Sequence, residues 1–298
     1  MKPSKIRRIV VAVKPFGHAS ASALSRARLL AEQGDTEIAL LGCVSNMGLS
    51  AGISAGLSTE LAWSDPAMLE GLERAWTERA GAALEKLAAP LRHLGNRLTI
   101  RSLAHSPIYE GILEQVARWN ADLLVVSVHE PTPLPHTRLT DTDWQLMRLC
   151  PCPLLLAKDP SLERYKAVLA AVDPLRQHGE PEELDQAILA TAKGLADVFA
   201  ARLCTVTAYS AAKDAADPAA QHRQALTELL ADTNITPAFS TLRSGNPATV
   251  IVDLVQEQSI DLLVLGALQR SRFKALMLGS TAEEAAAGAP CDVLFVKP

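Results

Sequence analysis

The stretch IDLLVLGA at residues 260–267 repeats ADLLVVSV at residues 121–128, and this repetition determines how the rest of the chain is interpreted. Two further pairs recur in the same order, RIVVAVKP (8–15) with AVLAAVDP (167–174) and PCPLLLAKDP (151–160) with PCDVLFVKP (290–298). Internal repeats of this kind indicate two copies of one structural unit. We therefore predict two domains, residues 1–160 and 161–298.

The first copy is the longer of the two. The RIVVAVKP pair is separated by 159 residues and the other two pairs by 139, so about 20 extra residues lie between the first and fourth strands of the first copy. We expect them in the Gly-, Ser- and Ala-rich segment 48–58. The polar link at 158–163 is short, which predicts that the two domains pack closely together.

The apolar runs in both copies are continuous, as in VVAV and LLVV, and lack the alternation of a half-exposed strand. Such runs are typical of parallel strands covered by helices on both faces. Strands are predicted at 8–14, 36–44, 97–103, 121–128 and 153–158, and at 166–172, 202–209, 237–243, 260–266 and 292–297. Helices are predicted at 20–33, 66–94, 107–119 and 141–149, and at 181–200, 218–232, 247–258 and 280–287. The alternation predicts an α/β fold with two tandem, doubly wound, parallel five-stranded sheets.

The last strand of each copy is an apolar edge strand that would associate with other chains if it were left exposed. We predict that residues 153–158 pair antiparallel with residues 292–297, which makes the chain an intramolecular pseudo-dimer. Further homo-oligomers of the pseudo-dimer remain open at this stage.

Composition argues against nucleic acid and membrane partners. The net charge is −4 and aromatic residues make up 4%, so the sequence has neither a basic surface nor base-stacking platforms. No stretch approaches the roughly 18 apolar residues of a membrane-spanning helix. The apolar run that ends before Lys14 is too short for a secretory signal, so we expect a cytoplasmic protein.

The five cysteines and seven histidines give no recognised metal or redox motif. There is no CxxC pair and no zinc spacing, and Cys150-Pro-Cys152 is the nearest approach to one. His105, His129 and His136 could converge with Asp141, but solvated loop histidines are the simpler interpretation. We predict no metal site and no catalytic residues.

Two segments of the second copy are predicted to meet at the carboxyl edge of its sheet, where ligands of doubly wound folds bind. Strand one ends at Asp173, and strand four ends at Gly266. The segment Gly279-Ser280-Thr281 then begins a helix, whose free N–H groups attract anions. The alternative is helix capping alone, with Ser280 or Thr281 as N-cap and Glu283 or Glu284 completing a capping box.

This arrangement resembles the universal stress protein family, whose ATP-binding members carry G-x2-G-x9-G-[ST] after strand four and an aspartate after strand one. The spacing here is Gly266, Gln269, Gly279, Ser280. The resemblance implies an adenine nucleotide alpha hydrolase-like fold, a cytoplasmic stress-response role and a bound adenine nucleotide, ATP, with or without magnesium. Asp173 and the backbone at Ala208 would then bind adenine, and the Gly266, Gln269, Gly279, Ser280 and Thr281 positions would hold ribose and phosphates.

The sequence departs from the family pattern at Gln269, which replaces a glycine. If that position needs a positive φ, its side chain costs on the order of 1 kcal/mol or more. The first copy departs further, with Lys14 for the aspartate, Ser127 and Glu130 for the two glycines, and Thr140-Asp141 for Gly-Ser. We predict that the first copy has lost ATP.

Three functions stay open from the sequence. The leading one is a regulatory binding protein that holds ATP in its second domain and acts on protein partners that the sequence does not identify. The others are slow ATP hydrolysis and a nucleotide-free scaffold.

Overall fold

The computed structural model describes residues 6–16, 20–45, 66–128, 139–176, 181–209, 217–267 and 279–297. The predicted site of the extra residues, 48–58, lies outside these ranges.

Both copies fold in the predicted order. The first contains β1 (Arg8–Val13), α1 (Ala21–Ala31), β2 (Glu37–Val44), α2 (Pro66–Leu87), β3 (Leu98–Ala104), α3 (Ile108–Arg118), β4 (Leu123–Ser127), α4 (Asp141–Leu149) and β5 (Leu154–Ala157). The second contains β6 (Ala167–Ala171), α5 (Glu182–Phe199), β7 (Arg202–Tyr209), α6 (Pro218–Thr233), β8 (Phe239–Ser244), α7 (Pro247–Glu257), β9 (Leu262–Gly266), α8 (Ser280–Gly288) and β10 (Asp292–Val296). Apart from one helix, the predicted boundaries are met within two residues.

The predicted helix 66–94 was too long. The α-helix α2 ends at Leu87, and a 3₁₀ segment, Ala89–Arg97, follows it. Pro90 lies in the first turn of that segment and has no N–H to continue the helix. Gly95 then adopts a positive φ of 58°, which turns the chain into β3.

All ten strands form one sheet in the order β3-β2-β1-β4-β5-β10-β9-β6-β7-β8. Pairing is parallel within each copy, and β5 pairs antiparallel with β10, with Leu155 opposite Leu294. This confirms the two five-stranded parallel sheets and their union as a pseudo-dimer. Both final strands lie in the middle of the sheet, where every residue of each is buried.

Helices cover both faces of the sheet. One apolar cluster packs α1, α2, α5 and α6 on one face, and a second packs α3, α4, α7 and α8 on the other. Neighbouring residues of β1 divide between them, since Val11 belongs to the first cluster and Val10 to the second. Strands buried on both faces explain the continuous apolar runs of the sequence.

An aspartate shared by the repeats ADLL and IDLL joins strands one and four in each copy. The Oδ2 atom of Asp122 accepts hydrogen bonds from the N–H groups of Arg7 (2.9 Å) and Arg8 (2.8 Å). Asp261 does the same for Lys166 (2.6 Å) and Ala167 (2.9 Å). The carboxylate therefore sets where the first strand enters the sheet.

A buried ion pair crosses between the copies. The guanidinium of Arg26, on α1, donates to the carboxylate of Asp292, on β10, and both side chains are fully buried. Arg26 also donates to the carbonyls of Leu162 (2.8 Å) and Asp159 in the link between domains. Asp292 accepts further bonds from the Tyr165 hydroxyl (2.9 Å) and the Lys158 N–H (2.8 Å). The charges are thus paired and hydrogen-bonded, which burial of ions requires.

Two lysines extend the pseudo-two-fold symmetry. Lys158 follows β5, and its Nζ donates to the Ala286 (2.6 Å) and Ala289 carbonyls at the end of α8. Lys297 follows β10, and its Nζ donates to the carbonyl of Cys150 at the end of α4. Each copy therefore places a cation at the carboxyl end of the other copy's last helix, where the helix dipole favours it. Burial lowers the pKa of Lys158 to about 8.

Replacing one member of the buried pair tests its contribution. We expect Asp292→Asn to reduce the free energy of unfolding by about 3–5 kcal/mol, because the Arg26 charge then stays buried without a counter-charge. Urea denaturation measures the change. Glu257→Gln, which disrupts the exposed Arg243–Glu257 pair, is the matched control and should leave the midpoint nearly unchanged. Equal effects of the two variants would contradict the assignment.

Candidate functional site

The order of strands in the second copy creates a crevice between β6 and β9. Chain connections from these two neighbouring strands leave in opposite directions, towards β7 on one side and β10 on the other. The carboxyl ends of such strands form the binding edge of doubly wound sheets. Asp173, Ala208 and Gly266 all lie at this edge, at or just beyond the ends of β6, β7 and β9.

Asp173 is half-buried just beyond β6, and the backbone around it is well ordered by hydrogen bonds. Its N–H donates to Oδ1 of Asp185 (3.2 Å), and its carbonyl accepts from the N–H of Arg176 (2.9 Å). Asp185 is a buried residue of α5 that the sequence analysis did not select. The sequence gives no sign of this role, because acidic residues are common near the start of any helix.

Gly266 is explained by packing against the helix that follows strand one. A Cβ at this position would lie 2.7 Å from Cδ2 of Leu184, on α5. In the first copy Ser127 ends β4 instead of a glycine. Oγ of Ser127 accepts the Ala23 N–H (2.9 Å) and the Ser22 hydroxyl (2.9 Å). The residue that ends strand four therefore packs against a leucine in one copy and hydrogen-bonds the first turn of α1 in the other.

The Gly279-Ser280-Thr281 segment begins α8 without any side-chain cap. Gly279 is the N-cap residue, with φ −65° and ψ 144°, and a Cβ added there would meet no atom of the described residues within 4 Å. Neither Ser280 nor Thr281 caps the helix, so the capping interpretation of this segment was wrong. Gly279 and Ser280 are exposed, and the first-turn N–H groups of α8 have no acceptor within the helix.

The equivalent helix of the first copy is capped by its own side chains. Thr140 is the N-cap of α4, and Asp143 completes a capping box by accepting from the Thr140 N–H (2.7 Å) and hydroxyl (2.8 Å). Asp143 rather than Asp141 supplies the buried carboxylate. Burial lowers the pKa of Lys14, against the opposing effect of the Asp143 carboxylate. Lys14 thus replaces Asp173 at the end of strand one, while the helix after strand four begins with two acidic residues in the first copy and with one, Glu283, in the second.

An ion pair between the copies borders the α8 N-terminus. Nε and Nη2 of Arg148, on α4, donate to Oε1 of Glu283 at 3.0 and 2.8 Å. Glu283 lies in the first turn of α8, where its negative charge would oppose an anionic ligand. Arg148 therefore compensates that charge from the other domain. Spacing along the sequence gives no sign of this long-range pair.

Several residues considered in the sequence lie outside the described ranges. These are Gln269 of the family pattern, together with Glu130, His129 and His136 of the first copy. His105 is described, and its Nδ1 lies 3.0 Å from the Pro107 carbonyl. Among the described residues, no group of three or more metal-binding side chains forms a cation site.

A cavity of about 350 Å³ lies at the opposite, amino-terminal edge of β9 and β10. Three carboxylates line it, those of Asp159, Asp261 and Asp292. Each already accepts hydrogen bonds from the protein, from Ser161, from the start of β6 and from Arg26. This cavity is therefore a poorer candidate site than the crevice at the carboxyl edge.

The universal stress protein family model matches the chain twice, at residues 5–158 and 164–297. The chain therefore belongs to the universal stress protein family, and both copies are members. Within the described ranges, no helix has the length and apolar character needed to cross a membrane.

Two curated relatives are similar to most of the chain. The chain is 29% identical over 238 residues to universal stress protein E of Photorhabdus laumondii, covering 74% of this chain and 76% of that protein. It is 26% identical over 310 aligned positions to the universal stress protein E homolog of Haemophilus influenzae, covering 99% and 98%.

Solved structures share the fold over nearly the whole chain. A candidate universal stress protein from Pseudomonas aeruginosa superimposes with a TM-score of 0.75 at 25% identity, covering 98% of this chain and 94% of that one. A universal stress protein from Archaeoglobus fulgidus gives 0.70 at 16% identity, with 97% and 98% covered. The second likeness extends to the fold alone.

Removing the N-cap of α4 tests the difference between the two helix N-termini. Thr140→Ala should lower the free energy of unfolding by about 1 kcal/mol, because the capping box is lost. Ser280→Ala should change it by less than about 0.5 kcal/mol, because Ser280 caps nothing. Thermal and urea denaturation of both variants measure this. A larger loss in Ser280→Ala than in Thr140→Ala would contradict the geometry.

Proposed function

We propose that this chain is a cytoplasmic stress-response protein that binds an adenine nucleotide, ATP, at the carboxyl edge of its second domain. It acts as a regulatory binding module whose nucleotide occupancy changes its contacts with protein partners. The first domain, residues 1–160, binds no nucleotide, and the second, residues 161–298, carries the site.

The proposal rests on one observation, the uncapped glycine at the N-terminus of α8. Neither the φ of Gly279 nor any neighbouring atom of the described residues requires a glycine there. A glycine without such a reason suits a position where the backbone approaches a ligand closely. The helix offers uncapped N–H groups and two hydroxyls to that ligand, which is the chemistry of a phosphate site.

The surroundings of the α8 N-terminus support a ligand with an anionic end and a hydrogen-bonding base. Asp173 lies beyond β6 in position to accept from an amino group such as that of adenine. Arg148 compensates Glu283, so the helix end is not dominated by a negative side chain. Lys14 in place of Asp173, and the two acidic residues Asp141 and Asp143 at the start of α4, make the first copy a poor match for the same ligand.

Analysis of released nucleotide and a melting experiment test the proposal together. Protein purified without added nucleotide is denatured, and the supernatant is analysed for adenine nucleotides. The melting temperature is then measured with millimolar ATP and magnesium. Ligand at a hundred times its Kd stabilises the folded state by about 2.7 kcal/mol. The absence of both released nucleotide and a melting shift would refute the proposal.

Gly279→Asp distinguishes binding at α8 from binding elsewhere. A Cβ at this position meets no atom of the described part of the chain, and the new carboxylate caps α8 as Thr140 caps α4. We expect the unliganded variant to be at least as stable as wild type but to lose the ATP-dependent melting shift. Thr140→Asp, which places the same charge in the first copy, is the matched control and should keep the shift. Equal ATP shifts in both variants would place binding outside the second-domain site.

A nucleotide-free scaffold is the second candidate, and Gly266 favours it. This glycine is accounted for by the side chain of Leu184 and needs no ligand as its explanation. The melting experiment separates the candidates, since a scaffold predicts no response to ATP in wild type.

A further inference from the structure

The segment Cys150-Pro151-Cys152 brings two thiols together at the contact between the domains. Their Sγ atoms lie 3.6 Å apart, within hydrogen-bonding distance for sulfur. Cys150 caps the carboxyl end of α4 through its N–H to the Leu146 carbonyl (3.0 Å), and Cys152 lies just before β5. The two residues thus belong to a turn between elements rather than to a helix or strand.

The pair occurs in one copy only. The equivalent segment of the second copy is Ala289-Pro290-Cys291, in which alanine replaces the first cysteine. The carbonyls of Cys150 and Ala289 receive equivalent bonds, from Lys297 and Lys158 respectively. The fold therefore accommodates alanine at the position of Cys150, and the Cys150 thiol is not needed to complete it.

Cys150 differs from the other four cysteines. A hydrogen bond from Cys152 and the positive charge of Lys297 lower its pKa against the opposing effect of burial. The pKa of Cys152 is raised by its hydrogen bond to Cys150 and by burial. Burial also raises the pKa of Cys204, and that of Cys43 and Cys291 to about 12. Since the thiolate is the reactive form, Cys150 is the thiol of the pair that reacts first. Both thiols are buried and Pro151 between them is exposed, so an oxidant must reach them through an opening of this turn.

We propose that Cys150 and Cys152 form a two-electron redox site that hydrogen peroxide converts into an intramolecular disulfide. The Cys150 thiolate attacks one peroxide oxygen and the O–O bond breaks, which yields a sulfenic acid and, with the thiol proton, one water. The Cys152 sulfur then attacks the Cys150 sulfur. The S–S bond forms as the S–O bond breaks, and the departing hydroxide takes the Cys152 proton as a second water. A dithiol reductant reverses the oxidation.

Little movement separates the two states. The sulfurs must approach from 3.6 Å to the disulfide length of about 2.05 Å. The carbonyl of Cys150 is the acceptor for Lys297 of the second domain. The disulfide would therefore form at a contact that the second domain makes with the first.

The test treats the full-length native protein with hydrogen peroxide, then unfolds it and alkylates the remaining thiols. Trypsin cleavage after Arg148 and Lys158 leaves both cysteines in one peptide, residues 149–158. We expect this peptide to be lighter by two hydrogens and to resist alkylation until it is reduced. Alkylable thiols per chain should fall from five to three.

Variants make the result specific to the pair. Cys150→Ala, which copies Ala289, should keep all four of its thiols after peroxide, whereas Cys291→Ala should lose two of its four. Cys152→Ala repeats the test should Cys150→Ala fold poorly, which circular dichroism reveals. Protein oxidised in urea is the positive control for the reagent. The proposal is overturned if native peptide 149–158 keeps both thiols, or if the thiols lost belong to other cysteines.

Discussion

The burial of Arg26 against Asp292 constrains the arrangement of the two domains. A guanidinium and a carboxylate without solvent contact tolerate few geometries, because each needs nearly all its hydrogen bonds made by protein atoms. Arg26 obtains them from β10 and the interdomain link, and Asp292 from Tyr165 and the Lys158 backbone. A shift in the register of β5 against β10 would leave these groups unsatisfied. The antiparallel pairing is therefore specified by polar groups as well as by apolar area.

That central pairing makes the chain symmetric in some features and asymmetric in others. Lys158 and Lys297 exchange equivalent contacts across the pseudo-two-fold axis, and Asp122 and Asp261 play equivalent parts within each copy. Arg26–Asp292 and Arg148–Glu283 have no such equivalents: Pro153 stands at the position of Asp292. The shared contacts support the fold of each copy. Of the unshared pairs, Arg26–Asp292 fixes the arrangement of the two domains and Arg148–Glu283 borders the N-terminus of α8.

Much of this fold could be predicted because repetition and apolar runs are local signals. The strands and all helices but one followed from them. The exception is the helix predicted at 66–94, whose amphipathic pattern continues past Pro90 although the α-helix ends before it. The pairing of β5 with β10 could be predicted because two apolar edges must be covered. The family and fold were also predicted correctly.

The ligand site itself stays a prediction. Asp173 and Gly266 lie at one edge, as the order of strands required, but the contacts that distinguish them involve distant residues. Leu184 explains Gly266, Asp185 holds the Asp173 backbone, and Arg148 reaches Glu283 from the other domain. Side-chain packing between helices and strands determines such pairs, and no motif encodes them. Whether Ser280 caps its helix likewise depended on local geometry.

The different partners of Gly266 and Ser127 have a consequence for the divergence of the two copies. A serine at 266 would collide with Leu184, and a glycine at 127 would leave the N–H of Ala23 without its acceptor. Exchanging either residue for its counterpart therefore lowers stability unless a second residue changes with it. Coupled positions of this kind preserve sequence differences between two duplicated halves through packing alone.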